Sequence, residues 1–260
     1  MRRRRALAVA VMLGVATAAT PAAAERLVMS ISRHQVLVNS NFTGTSIVLF
    51  GTVEPDSAAA RRRTAYDLVV TVTGPKQTVV ARRKERMLGI WTNLGSRTFL
   101  NAPSYLAVLS NQPLEQITSA ENVRQQKLGI ADKVFPQQLG IDVGDVMRDD
   151  PFRTNFLRLK TQHEFYVQRT NGVTLLTPTV FRAEIPLPAQ APIGNYDVDV
   201  RAFADGTLLT SGNSAFEIIK VGFEQFVANA AQDYGLLYGV TTAMMALMTG
   251  WFASVVFRRD

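Results

Sequence analysis

The spacing of apolar residues changes several times along this chain, and each change marks a different kind of structure. From residue 27 to about residue 109 the apolar positions come in short runs rich in β-branched and aromatic side chains, densest at residues 46–53 (SIVLFGTV) and 66–73 (YDLVVTVT). Such side chains fit a pleated, half-buried surface, so these two runs predict strands paired with one another. Gly74-Pro75-Lys76 interrupts the pattern before a further strand at residues 77–81.

The middle of the chain changes to a helical period. Thr118 and Glu121 have the spacing of a capping box ahead of residues 123–128, and Gly129 supplies a stop. Asp149-Asp150 before Pro151 offers a cap and a first-turn proline, and Phe152, Phe156, Leu159 and His163 recur at helical spacing behind them. A helical insertion over about residues 115–164 is therefore expected. From Phe165 the strand pattern returns, with Asn171-Gly172 and Asp205-Gly206 placed as hairpin turns. Residues 181–187, a proline-bounded crossing at 188–194 and the alternating Tyr196-Asp197-Val198-Asp199-Val200 give a strand, a loop and a strand. The expectation is a mainly β fold: an immunoglobulin-like β-sandwich over residues 25–220 carrying the helical insertion, with Tyr196 at a corner between the sheets. Two small sandwiches are the alternative.

The pattern changes again after residue 220. Phe223, Phe226, Val227, Ala230 and Tyr234 share one helical face, which predicts an amphipathic juxtamembrane helix over residues 221–234. Residues 235–257 carry no charge and predict one transmembrane helix. At about 1.5 Å per residue it extends roughly 35 Å, enough for a hydrocarbon core of about 30 Å. Tyr234 and Tyr238 toward one end, with Trp251 and Phe252 toward the other, suit the two interfaces. Arg258 and Arg259 then assign residues 258–260 to the cytoplasm by the positive-inside rule. At the other terminus, arginines at residues 2–5, an apolar stretch at 6–20 and Ala22-Ala23-Ala24 form a signal peptide over residues 1–24, with cleavage expected after Ala24. Both ends predict a protein of the inner (cytoplasmic) membrane, with the bulk of the chain periplasmic and the C-terminus cytoplasmic.

Composition narrows the chemistry. The formal charge of +7 comes from 28 basic and 21 acidic residues, and loss of the four arginines at residues 2–5 reduces it to +3, which gives a nucleic-acid role little support. With no cysteine, a disulfide framework, a thiolate nucleophile and cysteine-ligated metals are excluded. His34 and His163 do not begin a metal-ligand spacing, and Asp142, Asp145, Asp149 and Asp150 lack the glycine and alternation of an EF-hand loop. No Gly-x-Ser-x-Gly elbow, Ser-x-x-Lys signature or glycine-rich phosphate loop occurs. No catalytic residue, metal or cofactor is assigned on these grounds.

Two charged features and one apolar feature stand out. Arg61-Arg62-Arg63, and Arg82-Arg83-Lys84 with Arg86, are solvated loops or edge-strand guards on the plain reading. On the sharper reading they attract an anionic lipid headgroup, an envelope polymer or a small oxyanion. In the span, Thr242, Ala246, Gly250 and Ser254 form a row of small residues at i+4 spacing, which permits close packing against another helix.

The segments GIWTN (89–93), APSYLAVLSNQPL (102–114), DDPFRTNFLRLK (149–160), LTPTVFRAEIPLPAQAPIGNYDVDV (176–200) and KVGFEQF (220–226), followed by the terminal span and arginines, resemble the alphaproteobacterial "putative transmembrane protein" family. The resemblance covers essentially the whole chain after the signal segment, in order. It implies a signal peptide, a periplasmic β-rich region and one C-terminal transmembrane helix, a layout rather than a mechanism. By association it also implies a partner of the sulfite-exporter-type permease class. Three functions follow: a non-enzymatic interaction protein whose partners are the lipid bilayer and a membrane protein, such as a transporter or a second copy; a binding module for an anionic ligand or envelope polymer; and an envelope hydrolase or transferase.

Overall fold

In the computed structural model the β-branched runs do form strands, and these divide among three sheets. It describes residues 25–55, 66–87, 89–133, 135–139, 142–145, 150–222, 227 and 230–257. The first sheet has the order β1 (Arg26–Ile31), β3 (Thr45–Glu54), β12 (Val180–Leu187), β11 (Val173–Leu175), with antiparallel pairing throughout. The second has the order β10 (Tyr166–Arg169), β7 (Leu106–Ser110), β4 (Asp67–Thr73), β13 (Gly194–Ala204), β14 (Thr207–Lys220), β2 (Gln35–Val38). Its two outer strands, β10 and β2, run parallel to their neighbours. The third is β5 (Lys76–Met87), β6 (Ile90–Pro103), β8 (Pro136–Leu139) and β9 (Asp142–Asp145).

The first two sheets face each other over one core. Ile47, Leu49, Phe181 and Ile185 enter it from one side, and Leu68, Val70, Val198 and Val200 from the other. A second core lies on the outer face of the second sheet, where Val69, Leu106, Val108 and Phe203 meet Phe99, Phe135 and Phe156. This double cover accounts for β4 and β7, in which neighbouring residues are buried on both faces. It also corrects the expected pairing of residues 46–53 with 66–73. β3 pairs with β1 and β12, whereas β4 pairs with β7 and β13 in the opposite sheet. A strand buried continuously from Leu68 to Val72 must lie in the interior of a sheet covered on both sides, and the second sheet is the one so covered.

The inserted helices are α1 (Leu114–Ile117), α2 (Ala120–Gln125), a 3-10 turn (Ile130–Asp132) and α3 (Pro151–Gln162). Asp150 caps α3 as expected, accepting from the Arg153 amide at 3.2 Å with Pro151 in the first turn. The cap of α2 falls one residue later than expected. Ser119 accepts from the Asn122 amide at 3.3 Å, while the buried Thr118 donates its hydroxyl to the Gly206 carbonyl at 2.7 Å. That longer-range bond is what removes Thr118 from the capping role. Strands β8 and β9 also lie within this insertion, so it is not purely helical.

Of the two expected hairpin turns, Asp205-Gly206 joins β13 to β14, with φ of 52° and 79° at the two loop residues. Two consecutive positive φ values match the right-handed twist of the flanking strands, which is why Asp-Gly serves there. Asn171-Gly172 does something else. Tyr166 of β10 is buried in the second core and Val173 of β11 in the first, so this turn carries the chain from one sheet to the other.

Helix α4 (Gly235–Val256) has 22 residues, a mean hydropathy of 1.4 and no burial against the rest of the chain, so it is long and apolar enough to cross a membrane. Its threonines satisfy their own hydroxyls: Thr241, Thr242 and Thr249 donate to the carbonyls of Leu237, Tyr238 and Met245 at 2.7–2.9 Å. The expected signal peptide at residues 1–24 and the terminal arginines lie outside the described residues. So do Phe223 and Phe226 of the expected amphipathic helix, although Val227 and Ala230 are helical.

Candidate anion-binding cleft

Strand β5 crosses the edge of the second core and ends in solvent. Val79 and Ala81 pack against that core, and the strand continues through Arg82, Arg83, Lys84 and Arg86, all exposed. Helix α3 lies alongside. Phe156 anchors it in the second core, stacked on Phe99 with ring centroids 4.4 Å apart. Arg153, 4% exposed, fixes it from the other side by donating to the carbonyls of Ala131 (3.2 Å) and Lys133 (2.7 Å) and resting 5.7 Å from the centre of the Phe135 ring.

Between β5 and α3 is a cavity of about 570 Å³. Val79, Ala81, Phe152, Phe156 and Phe165 give it an apolar floor. Arg82, Arg83 and Lys84 reach it from β5, and Arg158 and Lys160 from α3. Among its described lining residues there is no carboxylate and no hydroxyl. The guanidinium of Arg83 lies 5.8 Å, and that of Arg97 5.3 Å, from the Phe152 ring centre, so two cations stand against this one ring of the floor. The Lys160 ammonium sits 5.1 Å from Phe165, 5.7 Å from Tyr166 and 5.8 Å from Phe156, and it donates to the Ser104 carbonyl at 3.4 Å. Burial lowers the pKa of Lys160, because a partly desolvated ammonium is less well stabilised.

Of the expected basic residues, Arg82, Arg83 and Lys84 therefore converge on one cavity. Arg86 lies nearer the end of the hairpin, where its Nε donates to the Gly89 carbonyl at 3.4 Å. Arg61, Arg62 and Arg63 lie outside the described residues. Arg158 and Lys160 complete the cleft and were not expected there. Arg158 is exposed, whereas Lys160, four residues after Phe156, is half-buried, and nothing in their local sequence signals that β5 lies opposite.

The remaining candidates have structural settings. His34 is exposed on the way into β2, whereas His163, exposed at the C-terminal cap of α3 with its ring 6.4 Å from that of Phe165, also lines the cleft. Asp150 is the helix cap, and the described residues contain no group of three or more His, Asp or Glu that could hold a metal ion. On α4, Thr242, Ala246, Gly250 and Ser254 share a row. A side chain added at Gly250 meets nothing within 4 Å.

A β-rich body ending in one exposed apolar helix of membrane length has the layout of a membrane-anchored protein. The chain belongs to the family described as "Putative transmembrane protein" (Alph_Pro_TM), whose model matches residues 26–259. This is the family that the sequence segments resemble. Neither the curated proteins nor the solved structures gave a match.

Proposed function

We propose that this chain is an exported, single-pass inner-membrane protein whose periplasmic, immunoglobulin-like body binds an anionic ligand bearing an apolar group. The cleft between β5 and α3 carries the reading: five basic side chains around an aromatic and aliphatic floor suit a ligand with a charged head and an apolar portion. The described lining holds one imidazole, that of His163, with no carboxylate or hydroxyl beside it to complete a nucleophile–base pair, which favours binding over such chemistry.

Strand order supports the immunoglobulin-like assignment. β1-β3-β12-β11 follow the A-B-E-D order, and β4-β13-β14 the C-F-G order on the facing sheet. Tyr196, two residues into β13, donates back to the Pro192 carbonyl at 2.6 Å, in the manner of the tyrosine corner of such domains. The signal-like segment and the arginines after α4 support a periplasmic body and a cytoplasmic C-terminus. An accessory role beside a transporter has the small-residue row of α4 as its support.

The test is binding of hexanesulfonate, with hexylamine as its cationic counterpart, to the full chain in zwitterionic lipid discs by saturation-transfer NMR, with empty discs as background. Hexanesulfonate should bind, weaken with added salt, and be lost in a variant carrying Arg82→Gln, Lys84→Gln and Arg158→Gln. Equal binding by the variant, or preference for the amine, would sink the reading.

A further inference from the structure

Beyond the cleft, β5 and β6 run on as a ribbon whose described residues are mostly exposed. β6 meets β8 at Thr98 and Phe99. From Arg82↔Ser96 to Met87↔Ile90, β5 and β6 pair with each other and, among the described residues, with no third strand. A two-stranded ribbon is marginal in water unless something covers a face. Its end is also apolar: Met87, Ile90 and Trp91 are 51%, 68% and 67% exposed. Residues opposite one another in an antiparallel pair share a face, so Met87 and Ile90 occupy one side of the tip, and Trp91 the other together with Arg86. Behind this apolar tip stand the exposed Arg82, Arg83 and Lys84.

Apolar residues with a tryptophan at the tip and a collar of basic residues behind it have the chemistry of the bilayer interface. Tryptophan favours the headgroup level, and lysine and arginine are drawn to anionic headgroups. The route of the chain agrees. β4 ends at Thr73, which lies opposite Asp197, and the ring of Pro75, which precedes β5, is 3.2 Å from where a side chain on Gly194 would begin. Gly194 in turn lies opposite Ile218, near the end of β14 at Lys220. The hairpin is therefore rooted at the end of the body from which the chain departs, through residues 221–234, for the apolar helix α4.

We infer that the β5–β6 hairpin is a second membrane contact, in which Met87, Ile90 and Trp91 enter the interface of an anionic bilayer while Arg86 and the basic residues behind it engage the headgroups. The chain then holds the bilayer at two places, and the cleft at the root of the hairpin stands close to the headgroup layer.

Trp91 is a natural reporter, because the chain has two tryptophans and the other, Trp251, lies in α4. The experiment uses the full chain with Trp251→Phe, reconstituted in discs of phosphatidylcholine or of phosphatidylcholine with phosphatidylglycerol, with and without brominated acyl chains. The expected result is blue-shifted Trp91 emission, quenching by brominated lipid that is stronger with phosphatidylglycerol, and loss of both when Met87 and Ile90 are changed to Asp. Water-like emission that is open to acrylamide and insensitive to brominated lipid would overturn the inference. Emission shielded from acrylamide yet insensitive to brominated lipid would also overturn it, in favour of a protein contact. Changing Met87 and Ile90 leaves the cleft's lining residues in place, so hexanesulfonate binding should persist in that variant and the two tests can fail separately.

Discussion

Tyr196 donates its hydroxyl to the Pro192 carbonyl at 2.6 Å while its ring stacks on Phe216 with centroids 4.9 Å apart. Tyr105, 5.7 Å away between ring centroids, donates its own hydroxyl to the Pro186 carbonyl in the facing sheet. The crossing from β12 to β13 is thus pinned at both ends by buried phenols. Tyr196→Phe leaves the Pro192 carbonyl without this donor and should cost about 1–3 kcal/mol. The check is the thermal midpoint of the full chain in detergent; an unchanged midpoint would remove the corner from the account of stability.

Burial raises the pKa of Tyr105, Tyr166 and Tyr196 above the ordinary 10.0, because a phenolate is poorly stabilised in the core. The unfolded chain therefore loses these protons first. The stability they contribute is complete below about pH 10 and is lost as pH rises beyond it. Lys133 and Lys160, with pKa values lowered by burial, act in the opposite sense below 10.5. Unfolding measured above that value should show the tyrosine loss alone, and Tyr166→Phe should reduce its slope.

Gly51 of β3 lies opposite Phe181 of β12, and a side chain at Gly51 would begin 2.4 Å from the Phe181 ring. The ring fills space that the missing side chain leaves. Gly51→Ala should destabilise the body by about 1–3 kcal/mol through overpacking. Adding Phe181→Leu should recover part of that loss, and additive effects in the double variant would rule out the contact as the cause.

In the cleft, the lowered pKa of Lys160 means that its charge disappears at a lower pH than that of an ordinary lysine. Hexanesulfonate affinity should therefore begin to fall below pH 10.5 as the solution is made alkaline. Lys160→Arg should flatten that decline, since a guanidinium keeps its proton throughout the range. An unchanged pH profile in the Arg variant would take Lys160 out of the binding step.

For the span, Gly250→Leu should abolish association in a membrane-helix reporter assay while leaving insertion intact, if the row of Thr242, Ala246, Gly250 and Ser254 packs on another helix. Equal signal from the two helices would move any partner contact to the body.

Local chemistry is legible in the sequence where no distant segment competes for it. Asp150 and Pro151 start α3 because a cap and a first-turn proline need only the adjacent backbone. Asp205-Gly206 turns a hairpin because both residues accept positive φ. Thr118 misled because its hydroxyl is taken by Gly206, far away in sequence, and Asn171-Gly172 misled because a turn does not state which sheet its strands will join.

By itself, the sequence determined a mainly β body, a helix starting at Pro151, an uncharged terminal helix beginning at Gly235 and a basic run directly after the strand that follows Pro75. Each of these depends on composition and period along one stretch of chain. Tertiary structure alone decided that β3 and β4 face each other across a core instead of pairing, and that Arg158 and Lys160 of α3 stand opposite Arg82, Arg83 and Lys84. The reason is physical: β4 needs cover on both faces, and only the folding of distant segments around it supplies that cover and, with it, the cleft.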